Sequence, residues 1–175
     1  VNPKLIAITG SNGKTTVKEM LGRILSAVDH TLVTSGNFNN DIGVPLTLFQ
    51  LEPEHRYAVI EMGANHTGEI ASLVEIAEPD VVYVNNAQLA HVGEFGSLQA
   101  VVEAKGEMYR FSSESSVAVF NADDAACEQW KESAQSSTKI SFSLDHNADF
   151  SATYQALESG LEIVVRSDKA ETVSN

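Results

Sequence analysis

The sequence predicts an α/β protein, a mostly parallel sheet flanked by helices, with a small antiparallel β appendage near the C-terminus. Three observations carry that prediction. Short apolar, β-rich runs alternate with helix-period segments about five times. The first run leads directly into a glycine-, lysine- and threonine-containing loop and then a long amphipathic stretch. After residue 136 the rhythm changes to three strand-like runs separated by turn residues.

The strands are expected at residues 5–9, 31–34, 57–61, 81–84 and 117–120, each a short apolar run bounded by polar or turn residues. The first helix is expected over 14–28, where Val17, Met20, Leu21, Ile24, Leu25 and Val28 recur at i, i+3, i+4 and i+7 as one continuous apolar stripe. Further helices are expected over 68–77, 97–110 and 123–133. Repeated strand–helix–strand units imply right-handed crossovers, helices on both faces, and a ligand site at the carboxyl ends of the strands. Residues 139–144, 150–157 and 161–166 read as the antiparallel strands, with Asp145-His146-Asn147 and Glu158-Ser159-Gly160 as hairpin-type turns. Residues 1–136 thus form a phosphate-loop domain, and 137–175 a truncated antiparallel extension of it. The chain starts without Met and ends, from Lys169 to Asn175, in a polar featureless stretch, so it reads as a piece of something longer.

At 175 residues, with 43% hydrophobic and 20% charged residues, the chain holds one sizeable core and is neither disordered nor repetitive. Its formal charge of −13 repels a nucleic-acid backbone or an anionic membrane surface, and no basic patch offsets it. Neither partner is expected. An anionic ligand must then be held by backbone N–H groups, metal ions and a few placed cations. The single cysteine, Cys127, has no partner for an intrachain disulfide and reads as a small helix residue. No window approaches a membrane span and the first residues are not a signal sequence, so a cytoplasmic protein is expected.

The chemistry starts at Gly10-Ser11-Asn12-Gly13-Lys14-Thr15-Thr16, between the first strand and the first amphipathic helix. The two glycines let the backbone approach a polyphosphate, the helix N-terminus offers free N–H groups, Lys14 reaches the terminal phosphates and Thr15 offers a hydroxyl to Mg²⁺. Glu61 ends an apolar strand, where a nucleotide-binding sheet presents an acid to Mg²⁺. His91 follows the 81–84 strand after a short loop, again at the ligand edge. Lys105 falls on the apolar stripe of its helix, with Leu98, Val101 and Met108. There it either snorkels outward or works inside, where desolvation would favour a neutral amine able to take up CO₂ as a carbamate. An N-K-x-D guanine-reading motif, a kinase signature set and a zinc-type His/Cys spacing are all absent.

Six segments together resemble the central, ATP-binding domain of the Mur ligase family of peptidoglycan synthesis, over about residues 4–125. They are the loop itself, Ser35 to Pro45, Val59-Ile-Glu-Met-Gly-Ala-Asn-His66, His91-Val-Gly-Glu-Phe-Gly-Ser97, Ala104-Lys-Gly-Glu107 and Asn121-Ala-Asp-Asp124. The Asn-rich segment and Glu61-Met-Gly-Ala-Asn65 narrow the resemblance to the branch that adds D-Ala-D-Ala to UDP-MurNAc-tripeptide. That resemblance implies ATP and Mg²⁺ as cofactors and an acyl phosphate on the tripeptide. It implies phosphate binding by Gly10, Ser11, Asn12, Gly13, Lys14, Thr15 and Thr16, and metal ligation by Thr15, Glu61, His91 and a carbamylated Lys105. Asn39 and Asn40 would face the muramoyl substrate. The family's N-terminal UDP-sugar domain, its C-terminal closing domain and a later adenine-holding helix are not in this sequence. Two alternatives remain: another ligase of the Mur and folylpolyglutamate group, or a nucleotide-binding module without ligase activity.

Overall fold

The computed structural model describes residues 2–88, 95–157, 160–167 and 170–174. Strand β1 (Lys4–Thr9) sends Leu5 and Ala7 to one face and Ile6 and Ile8 to the other, and the next strands repeat that alternation. Two cores result. The larger joins Leu5 and Ala7 to Ala58 and Ile60 of β3 (Tyr57–Glu61), Val82 and Val84 of β4 (Val81–Val84), and Ala118 and Phe120 of β5 (Val117–Asn121). The smaller joins Ile8, Val59 and Tyr83 under Val17, Leu21 and Leu25 of helix α1 (Lys14–Ser26). On the larger core lie α2 (Gly43–Leu48), α3 (Glu69–Ala77), α4 (Leu98–Arg110) and α5 (Cys127–Ser133).

Together with β2 (Thr31–Val33), β6 (Thr138–Ser143), β7 (Phe150–Leu157), β8 (Gly160–Ser167) and β9 (Ala170–Ser174), the described strands form one nine-stranded sheet ordered β2-β3-β1-β4-β5-β6-β7-β8-β9. β1 lies between β3 and β4, parallel to both. The loops leaving these three strands therefore diverge from one edge and open the crevice in which α/β sheets bind ligands.

The mostly parallel sheet and the antiparallel appendage are both present, and five expectations are corrected. β6 is parallel to β5, and β7 pairs with β6 in parallel over Phe142–Phe150 and Ser143–Ser151, so antiparallel pairing begins only between β7 and β8. The Asp145 turn is not a hairpin, because the strands on either side of it run parallel; Asp123 accepts from Leu144 N at 2.7 Å and Ser143 Oγ accepts from Asp145 N at 3.0 Å. The polar end is not featureless, for β9 pairs antiparallel with β8. Helix α5 starts at Cys127 rather than Asp123, since Asp124 Oδ1 accepts from Ala126 N at 2.8 Å in the preceding turn.

A fifth correction concerns α1, where Met20 and Ile24 of the expected stripe are 59% and 60% exposed while Lys18 and Gly22 face inward. A Cβ on Gly22 would come 2.8 Å from Val33 Cγ2, so the helix approaches β2 along its glycine rather than along the stripe. The sequence reading also passed over α2. Asn40 Oδ1 accepts from Gly43 N at 2.8 Å to start it, and Pro45 falls in its first turn, where no backbone donor is needed.

Packing of α4 places the site. Trp130 of α5 is 1% exposed and its Nε1 donates to Val102 O at 3.0 Å. A Cβ on Gly106 would lie 2.9 Å from Trp130 Cδ1, so the two helices meet at that glycine. Trp130→Ala is expected to cost about 3–5 kcal/mol by opening a cavity there. The melting temperature should fall by about 10 °C or more. Circular dichroism checks it, since Trp130 is the sole tryptophan, and a loss below about 1 kcal/mol would contradict the packing role.

Candidate phosphate-binding site

β1 ends in Thr9, and the chain turns through Gly10 and Gly13, with φ of +146° and +74°, into the N-terminus of α1. Both glycines are required by conformation and by space. A Cβ on Gly10 would lie 2.9 Å from Asn85 Cβ, and one on Gly13 2.8 Å from Asn85 Nδ2. The loop is laced to the segment after β4. Ser11 N donates to Asn86 O at 3.0 Å, Asn12 N to Asn86 Oδ1 at 3.0 Å, and Asn85 Nδ2 to Asn12 O at 2.6 Å. Ser11 Oγ accepts from Gln88 N at 3.0 Å. These bonds hold the loop open in shape before any ligand arrives, a preorganised cradle for an anion.

Lys14 folds back over this cradle, its Nζ donating to Gly10 O at 2.6 Å. Burial lowers its pKa and the nearby Glu61 partly restores it. Thr15 stands beside it at the first turn of α1, and Thr15 Oγ1 donates to Glu61 Oε2 at 3.0 Å. Glu61 is 2% exposed. Its other oxygen, Oε1, accepts from Asn39 Nδ2 at 2.8 Å, so Asn39 orients the acid. Three expected residues thus converge at the carboxyl ends of β1 and β3.

Lys105 resolves in favour of the inward placement. It is 4% exposed, its Nζ donates to Ala64 O at 3.4 Å and lies 5.6 Å from the Phe95 ring centroid. Burial first, then Lys14, pushes its pKa down to about 8, with Glu69 and Glu107 pulling the other way. A cavity of about 200 Å³ is bordered by both lysines together with Gly10, Asn39, Asn40 and Phe95. His91 lies outside the described residues.

Sequence reading places Glu107, Asn121 and Asp124 in family-like segments but gives none of them a role in supporting this constellation. Glu107 is 5% exposed and accepts from Gly68 N at 2.6 Å and Ala71 N at 3.1 Å, closing the start of α3 beside the Ala64 carbonyl that Lys105 meets. Its signal was its place on a helix buried nearly all round, two residues from Lys105. Asn121 and Asp124 brace the loop after β4: Asn121 Nδ2 donates to Asn85 O at 3.3 Å and Asp124 Oδ2 accepts from Ala87 N at 2.9 Å. A larger cavity of about 830 Å³ lies at the amino end of β4. It is walled by Glu75, Glu78 and Asp80, which suits no polyphosphate.

Against known families, residues 8–174 match the Mur ligase middle domain. The chain belongs to the Mur ligase family. The UDP-N-acetylmuramoyl-tripeptide--D-alanyl-D-alanine ligase of Escherichia coli K12 is 49% identical over 154 residues, 87% of this chain and 34% of that protein. The chain therefore spans about a third of the length of such relatives. A crystal structure of MurF from Acinetobacter baumannii superposes with a TM-score of 0.90 at 42% identity, over 97% of this chain and 37% of that one. MurF from Thermotoga maritima, solved in complex with ADP, gives 0.84 at 28% identity, over 98% of this chain and 40% of that one. In this Mur ligase domain no described helix is long and apolar enough to cross a membrane.

Proposed function

We propose that this domain is the nucleotide-binding core of a cytoplasmic, ATP-dependent ligase that joins D-Ala-D-Ala to UDP-MurNAc-tripeptide. The observation that carries the reading is a preformed phosphate loop whose Thr15 hydroxyl meets a strand-end carboxylate, Glu61, beside a cavity shared by Lys14 and Lys105. The relatives named for that reaction and the ADP complex of a MurF support the choice of substrates and nucleotide.

The donor set fits Mg²⁺. Thr15 and Glu61 offer hard oxygens, and among the described residues no group of three or more His, Cys, Asp or Glu side chains forms a protein cage. That suits an ion held by one or two side chains and the phosphates. Thr15 and Glu61 would hold it, with His91 and a carbamylated Lys105 as the ligands the family resemblance adds. The ion would offset the repulsion between the triphosphate and an attacking carboxylate.

The chain's own residues do the rest. Lys14 exchanges the Gly10 carbonyl for the terminal phosphates, and the N–H groups of the loop and of the α1 N-terminus hold the phosphate oxygens. Its positive charge follows the γ-phosphoryl as that group passes to the tripeptide carboxylate. The amine of D-Ala-D-Ala then displaces phosphate from the acyl phosphate to give the amide. At Lys105, the neutral amine adds to CO₂ with loss of a proton, and the carbamate supplies an anionic oxygen in place of a cation. Burial of the amine on α4 and the nearby Lys14 favour that neutral form.

The test is ADP release by the full-length parent with Mg-ATP, UDP-MurNAc-tripeptide and D-Ala-D-Ala, each omitted in turn, with this chain as control. ADP formation that requires both co-substrates is expected, with the isolated chain silent. ADP without D-Ala-D-Ala, or none at all, would leave only a phosphate-loop ATPase or binding module.

A further inference from the structure

A fully buried lysine lies beneath the phosphate loop, on the inward face of α1. The Lys18 side chain has no exposed surface, and its Nζ donates to Thr34 O at 2.8 Å and Gly36 O at 3.3 Å. Glu19 Oε1 lies 3.1 Å and Glu61 Oε2 3.9 Å from the same nitrogen. Burying an ammonium costs several kcal/mol before its partners offset it, and an apolar side chain in such a position is often no less stable. Stability alone does not account for the charge.

The segments that Lys18 joins are those that build the acid. Thr34 Oγ1 accepts the backbone N–H of Glu61 at 3.0 Å, and the chain from Thr34 through Gly36 continues to Asn39, which holds Glu61 Oε1. Glu61 Oε2 lies between Lys18 and Thr15. The carboxylate is therefore gripped from the helix, from the end of β2 and from its own strand, and one ammonium ties the three together.

We propose that Lys18 is a positioning residue for Glu61. Its ammonium fixes the carboxylate and the 34–39 segment, so that the oxygen facing Thr15 is presented to a divalent cation at the phosphate loop, and Lys18 itself touches neither cation nor nucleotide. What the carboxylate is presented to rests on the function proposed above; the positioning is a property of the ligand-free chain.

Lys18→Met in this chain tests it by two routes. In the ligand-free protein, amide exchange over residues 35–43 should quicken at least about tenfold, and the Asn39 side-chain amide resonances should move, while core amides such as those of Ile8 and Val59 stay protected. In a Mn²⁺ titration, affinity should fall about tenfold or more, the usual loss when a ligand's outer support is removed. Lys18→Met/Glu61→Gln should then bind Mn²⁺ no more weakly than Glu61→Gln alone, because the two act through one group. Unchanged exchange over 35–43, unchanged Mn²⁺ affinity, or multiplying effects in the double variant would overturn the proposal. If Lys18→Met does not fold, Lys18→Gln, a neutral donor, is read by the same measurements and the same criteria. A wild-type chain that takes up no Mn²⁺ would count against the ligase reading, and the exchange data would still decide for or against Lys18.

Discussion

Lys14→Ala is expected to lower the affinity of the domain for Mg-ADP by about two orders of magnitude. A hydrogen bond to a charged group is worth about 1.5–3 kcal/mol, and Lys14 sits where it meets the terminal phosphates. With a formal charge of −13 on the chain, no diffuse positive field replaces it. The cavity's other cation, Lys105, is buried against Phe95 and held to a state in which its charge is disfavoured. Because Lys14 helps push the Lys105 pKa down, the variant should also let that pKa rise above about 8. Fold stability should change little, since among the described residues the half-buried Lys14 ammonium bonds loop carbonyls alone. Calorimetric titration with Mg-ADP, alongside a melting curve, checks both statements. An affinity equal to wild type would remove Lys14 from the phosphate role.

The strands and the loop were legible because their signals are local. A buried parallel strand shows as an apolar run, and a glycine-lysine-threonine turn between strand and helix needs no distant information. Glu61 was legible for the same reason, as an acid at a strand end. The supporting residues were not, because their roles are set by sequence-distant partners. Lys18 looks solvent-facing on a helical wheel whose stripe runs through Met20 and Ile24, and only the contact of Gly22 with Val33 turns it inward. Asn86 reads as a loop asparagine until β4 is laid beside β1 and its side chain meets the Asn12 N–H. The antiparallel reading of β6 failed because alternation within a strand says nothing about the direction of its neighbour.

Lys105 joins stability and function with opposite signs. Its pKa of about 8 lies below the ordinary 10.5, so at pH 7 the native chain carries a proton in a place that disfavours it. Lys105→Met is therefore expected to stabilise the ligand-free domain at pH 7, by up to about 3 kcal/mol. Between about pH 8 and 10.5 the unfolded chain binds more protons than the native one, so wild-type stability rises with pH and the variant's advantage shrinks. Above that window both forms are neutral and the advantage is gone. Melting curves at pH 7, 9 and 11 measure it; an advantage that is absent at pH 7 or persists at pH 11 would refute the burial cost. In the parent ligase the same side chain has the opposite value. Lys105→Ala should abolish ligation and leave space for a small anion, so short carboxylates should restore part of the activity by supplying the oxygen that the carbamate would have provided. Full activity of Lys105→Ala without added carboxylate would exclude the carbamate, and the buried amine would then be a cost in stability with no chemistry set against it.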